Sequence, residues 1–181
     1  MSEEVGAADA PENVKNWANA VYARSGVSDA LLQLQDRIGA DVCLVLWCCW
    51  AGERFKLIPE PVMRLALDRT AHWNADATRS LREARRAMKL FLATDDYQGV
   101  HGLREKVKAL ELEAEYVELG VLGQIAERFL TAAEDIAGSD GAASRARKNL
   151  ALYAGLAGLS KAEDFSTGLL HNVIDNIFGG R

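Results

Sequence analysis

Three histidines, three cysteines and three prolines are all that 181 residues contain, and each scarcity removes a class of chemistry. A zinc site legible from sequence needs spacings such as H-E-x-x-H or paired C-x-x-C units, and the chain has neither. Cys43, Cys48 and Cys49 are an odd number, two of them adjacent inside an apolar run, which makes a poor disulfide framework. Reduced thiols packed in a core are the favoured reading. Gly-rich phosphate loops, nucleophile elbows and dinucleotide fingerprints are also missing. No catalytic residue, metal or cofactor is therefore assigned.

Cationic excess is lacking too. A net charge of -5 argues against general affinity for nucleic acid or anionic membranes, whose negative fields attract Lys/Arg-rich surfaces. The longest apolar run, Val42 to Trp50, is about half of what a membrane-spanning helix requires. Met1 to Pro11 has neither a basic n-region nor an apolar h-region, so it does not read as a secretory signal. A floppy tail over residues 1–10 and a cytoplasmic location are expected.

What the sequence does hold is helix signal. With 49% hydrophobic and 26% charged residues, a chain of this length suits one soluble domain that buries roughly 70% of its unfolded surface. Pro11 opens a helix with Val14, Trp17, Ala18 and Val21 on one face, and Gly26 follows its end. Ser28 reads as the cap of a second helix that carries Leu31, Leu34, Gln35 and Ile38, with Gly39 closing it. Asp41 reads as the cap of Val42 to Ala51, with Gly52 as its stop. That run is rich enough in Val, Cys and Trp to suit a buried strand, but no other stretch offers a strand partner for its backbone groups. It is read as a central helix, apolar all round because it is surrounded.

Pro59 and Pro61 start a fourth helix carrying Val62, Leu65, Ala66 and Arg69, which His72-Trp73 interrupts. A fifth runs from about Asn74 to Leu92, with Ala77, Leu81, Ala84, Met88 and Phe91 inward and a basic opposite side. Turn chemistry at residues 94–99 precedes a long helix from about Val100 to Ala137. One stripe on it holds Leu103, Val107, Leu110, Ala114, Val117, Val121 and Ile125, and a second holds Leu112, Tyr116 and Leu119. Gly138 to Gly141 reads as a linker to a helix over about Ala142 to Leu156 and an amphipathic end with Val173, Ile174, Ile177 and Phe178. The expectation is an all-α, single-domain bundle of about seven or eight helices with a buried central helix. It is divided into a tail (1–10), a bundle (11–137) and a C-terminal hairpin (138–181) docking on the bundle or on a partner.

Four residue groups invite function. Arg79, Arg82, Arg86 and Lys89, with Arg85 nearby, form a cationic ridge that suits phosphate or an acidic partner, although a solvated face pairing with nearby carboxylates is favoured. Glu111, Glu115 and Glu118 align on one helix face, but the Glu-x-x-His pairs of di-metal bundles are missing, and solvated salt bridging is favoured there. Gln35, Asp36, Arg37 and Asp41 read first as groups satisfying helix ends. The alternative makes them the polar side of a ligand pocket walled by Trp17, Trp47 and Trp50. Leu112, Tyr116, Leu119, Ile174 and Phe178 read as an interface for self-association or another protein.

The order Trp17…Tyr22…Gly26-Val27, then Leu34-Gln35-Asp36…Gly39-Ala40-Asp41-Val42…Leu46…Trp50, then Trp73, Leu81-Arg82, Arg85-Arg86, Glu111 and Glu115 resembles a family of small proteobacterial proteins known by a domain-of-unknown-function label of the 2390 type. The resemblance extends from Trp17 to about Ala126. It implies a bacterial cytosolic helical protein and no particular activity. The function expected is a non-catalytic, self-associating interaction protein, with a small-ligand binder or enzyme as the alternative.

Overall fold

A computed structural model describes residues 13–93, 96–133, 139–159 and 168–179; the expected tail lies outside them. Helix α1 (Val14–Tyr22) starts where the Asn13 side chain accepts the Asn16 N–H, and it buries the face formed by Val14, Trp17, Ala18 and Val21. Helix α2 (Val27–Ile38) begins one residue before Ser28, on Gly26 at φ 79°, and closes on Gly39 at φ 68°. Ser28 is thus not its cap. A left-handed backbone at Gly26 costs an L-residue about 1–2 kcal/mol, and an added Cβ would also sit 2.9 Å from Asn176 Oδ1. Gly26→Ala is expected to lower stability by about that amount, read as a reduced urea midpoint at constant slope. An unchanged midpoint would mean that the turn tolerates a side chain.

Helix α3 (Val42–Arg54) confirms the central helix. Asp41 Oδ1 accepts the N–H groups of Cys43 and Leu44, and every residue from Cys43 to Gly52 is buried. Gly52 does not stop it. The helix continues to Arg54, and Gly52 instead marks the crossing with α7 (Ser139–Leu156), where the backbone of Ala146 passes close by. The expected linker is corrected accordingly, since positions 139–141 already belong to α7. Asn149 of α7 fastens the crossing: its Nδ2 donates to Cys48 O, and its Oδ1 accepts the Ile58 N–H. The last helix, α8 (Leu169–Phe178), packs on α2 and α7. The two C-terminal helices pack on each other and on α3 and α2, and Ile174 and Phe178 are buried in the shared core.

Helix α4 (Glu60–Trp73) starts on Pro59. Trp73 does not break the rod. A π-helical segment, Asn74–Thr78, carries it into α5 (Arg79–Met88) and a 3₁₀ turn, Lys89–Phe91. Helix α6 (Val100–Phe129) ends before the expected Ala137, because Leu130 turns extended and Ala132 pairs briefly with Phe55. Its buried face is Glu111, Ala114, Glu118, Leu122 and Ile125. The expected stripe is rotated by about one residue: Leu103, Leu110 and Val117 are exposed. Helix α5 is likewise turned, with Arg82 and Arg85 facing α6 and Ala84 facing solvent. Among the described residues no helix is long and apolar enough to cross a membrane.

Candidate functional site

The rotation of α5 and α6 creates the principal site. Arg82 Nε donates to Glu111 Oε1 at 2.8 Å and its Nη2 to Glu115 Oε1 at 2.7 Å, while Arg85 grips both oxygens of Glu111. These pairs are not the solvated ones expected from spacing: the Arg82 and Glu111 side chains are 13% and 8% exposed. Burial alone would raise the Glu111 carboxyl, but hydrogen bonds from Arg85 and Arg82 overcome it and hold the group below its ordinary range. Glu115 shares Arg82 and ends above its ordinary range, because burial outweighs that one guanidinium.

The charged wall flanks a half-open groove of about 1030 Å³ bounded by α1, α2, α5 and α6, with the start of α3 as its floor. Its apolar lining includes Tyr22, Leu32, Leu46, Leu112 and Leu119. Its rim carries Arg86, Lys89, Arg104 and Lys108. Arg86 pairs with Asp36 and Arg104 with Glu105. Arg104 Nε is buried with no hydrogen-bond partner. Lys89 and Lys108 enter no ion pair with a described residue.

Of the residues singled out from sequence, Gln35 and Asp36 line this groove, together with Arg82, Arg86 and Lys89 of the ridge. Arg79 is exposed and does not line it. Arg37 is exposed outside it, and Trp17 is buried elsewhere, its indole donating to Glu53. Trp47 is wholly buried in the core, so it does not wall the pocket. Leu112, Tyr116 and Leu119, expected at an interface, line the groove. Tyr116 donates to Asn19 Oδ1 at 2.8 Å beneath the Lys15 ammonium. Arg104 and Lys108, which the sequence offers only as salt-bridging cations beside the glutamate stripe of α6, also line the groove.

Below the groove floor lies a second polar cluster. Asp41, Cys43 and Glu118 bring one oxygen, sulfur or oxygen atom each within 4.8 Å of one another. Asn74, at the start of the π segment, donates to Glu118 Oε2 at 3.4 Å, and Trp73 donates to the Ala114 carbonyl. The wider turn that begins at Asn74 re-phases α5 against α4. Tyr153 of α7 accepts the Asp41 N–H. Burial, then the Asp41 carboxylate, pushes the Glu118 carboxyl up to about 10. Burial and Asp41 also raise the Cys43 thiol, and burial lifts Cys49 to about 12. These thiols are protonated at neutral pH, as the packed-core reading expects.

A family model described as a protein of unknown function (DUF2390) matches residues 14–122. Both clusters fall inside that span, whereas α7 and α8 lie beyond it. No curated protein and no solved structure matches the chain.

Proposed function

We propose that this chain, which belongs to the DUF2390 family, is a binding protein whose groove takes a small amphipathic anion, a carboxylate or phosphate head on an apolar body. The family supplies no activity, so the proposal rests on one observation: an apolar groove whose rim holds two lysines, Lys89 and Lys108, that pair with no described carboxylate. Lys89, Lys108 and the Arg104 Nε have donors to spare, and the walls at Leu32, Leu46 and Leu112 are apolar. The volume lies at the upper end of that seen for small-ligand pockets, roughly 300–1,000 Å³. Polar groups from Gln35 and Asp36 converge on the groove, which favours the ligand reading over one confined to helix capping.

Alkyl carboxylates of increasing length, titrated by calorimetry, provide the test. One site per chain is expected, with affinity rising about fourfold per added methylene, from ~0.8 kcal/mol of burial each, until the walls are filled. The double variant Lys89→Glu/Lys108→Glu is expected to weaken binding on the order of tenfold, ~1.4 kcal/mol. Equal binding of an alkylammonium of the same length would sink the anionic part of the proposal. No saturable binding of either would sink the whole.

A second reading keeps the expected self-association, now on a different surface. Leu119, Ile174 and Phe178 are consumed within the chain, but Leu90 is 80% exposed, and Leu103 and Leu110 are about half exposed. Leu103 and Leu110 stand two turns apart on one exposed face of α6, which supports docking of a second copy there. Light scattering that shows a monomer at high concentration would remove it. Three buried thiols support a reducing compartment, and both readings take the cytoplasm.

A further inference from the structure

We propose that Tyr116 fixes the length of ligand the groove accepts, by standing as a partition between the groove and a second, smaller pocket in line with it. The inference rests on the groove reading above and adds the residue that limits its apolar end.

Two cavities lie along the seam where α1 packs on α6. The groove meets α1 at Ala18, Asn19 and Tyr22 and α6 at Leu112 and Leu119. The second pocket, of about 240 Å³, meets α1 at Asn13, Val14 and Lys15 and α6 at Gly120 and Gly123. Among the described residues Tyr116 alone lines both. Its side chain crosses the seam: the hydroxyl donates to Asn19 Oδ1 at 2.8 Å, and the Lys15 ammonium sits 4.1 Å from the ring centroid. Asn19 borders the groove and Lys15 the second pocket, so the ring is held from both sides.

Beyond the partition, space exists because side chains are missing. A Cβ at Gly120 would meet nothing within 4 Å, and one at Gly123 would meet only Val14 Cγ1, at 3.2 Å.

The order of residues along α6 gives the direction in which a ligand lies. Lys108, Leu112, Tyr116 and Gly120 follow one another at i, i+4 spacing, which stacks them on one face. They supply, in turn, an ammonium for the head, an apolar wall, the partition and the open pocket. Lys89 belongs to the head end too, because α5 runs against α6: Arg82 meets Glu115, and Arg85, farther along α5, meets Glu111. With a rise of about 1.5 Å per residue, Lys108 stands about 12 Å from Tyr116, and Gly123 about 10 Å beyond it. An anion held at Lys108 therefore runs its apolar body against Tyr116 at about 12 Å, where further methylenes stop gaining burial. Truncating Tyr116 joins the two cavities and moves that limit outward.

The test titrates the full chain by calorimetry with alkyl carboxylates of graded length. The quantity read is the ratio of affinities for a chain of about 20 Å over one of about 12 Å. It is expected to be near one in the parent and at least about tenfold in Tyr116→Ala, where each added methylene again contributes about 0.8 kcal/mol. Tyr116→Leu keeps an apolar stem but cannot reach Asn19. It is expected to raise the ratio as well, and it provides the reading if the alanine variant melts early. Adding Gly120→Met to Tyr116→Ala refills the second pocket and is expected to return the ratio toward one. A parent affinity that keeps rising to about 20 Å, or a ratio unchanged in folded Tyr116→Ala and Tyr116→Leu, would overturn the partition while leaving the groove reading intact. So would a ratio that stays raised after Gly120→Met. No saturable binding by the parent at any length would instead remove the groove reading, and the partition with it.

Discussion

Replacing Gly52 by alanine is expected to lower stability by about 3 kcal/mol, which for a chain of this size reduces the melting temperature by roughly 6–12 °C. An alanine Cβ at this position would lie 2.6 Å from Ala146 N and 2.9 Å from Ala146 Cα. Both atoms belong to the backbone of α7, so no rotamer change relieves the overlap and the helices must separate. Separation here is costly because α3 and α7 share the most extensive helix contact. It would also stretch three hydrogen bonds: Arg145 Nε to Gly52 O at 2.7 Å, Asn149 Nδ2 to Cys48 O, and Ile58 N to Asn149 Oδ1. Gly120→Ala is the matched control, as its Cβ meets nothing within 4 Å, and Ala is the better helix former by about 1 kcal/mol. Thermal melts of the two variants should move in opposite directions. Similar melts would show that α3 and α7 are not closely apposed at Gly52.

The contrast between these glycines bears on what the sequence could disclose. Asp41, Gly39 and the face around Trp17 were legible because caps, left-handed turns and 3.6-residue periodicity are local. Gly52 was read as a stop, since glycine ends helices far more often than it marks a crossing, and the crossing depends on α7, almost a hundred residues away. The phase of α6 was hidden for a related reason. Apolar spacing favours Leu110 and Val117 inward, whereas the structure buries Glu111 and Glu118 one position on. Arg82 and Arg85 compensate Glu111, and Asn74 reaches Glu118 from the junction of α4 with the π segment. Charge periodicity is the same on a solvated face and on one facing an oppositely charged helix. The ridge was thus visible as a pattern, but its orientation required the tertiary pairing. The groove was half legible: Gln35 and Asp36 do line it, while Trp47 lies in the core, where its size belongs.

That pairing leads to the other large expected effect. Arg82→Met keeps the apolar stem and removes the charge, and it is expected to destabilise the protein by about 3 kcal/mol, the lower range for breaking a buried ion pair. Glu115 would lose its guanidinium, and Glu111 would be left with Arg85 alone. Arg86→Ala removes a partner of Asp36 at a site where both side chains are about half exposed, so its effect should stay within about 0.5 kcal/mol. The difference between parent and Arg82→Met should also depend on pH. The folded-state Glu111 carboxyl is depressed below the unfolded value near 4.5, so its contribution is present above that pH. It is lost as pH falls through the lower folded value. Glu115, raised above 4.5, acts in the opposite sense: it destabilises as pH climbs past 4.5, and losing Arg82 deepens that penalty. Both changes make the Arg82→Met deficit largest at neutral pH and make it shrink on acidification below 4.5. Urea denaturation at neutral pH and near pH 3.5 measures it. Equal losses for Arg82→Met and Arg86→Ala, or a deficit that does not change with pH, would mean that the ridge is solvated after all and that α5 does not turn its arginines toward α6.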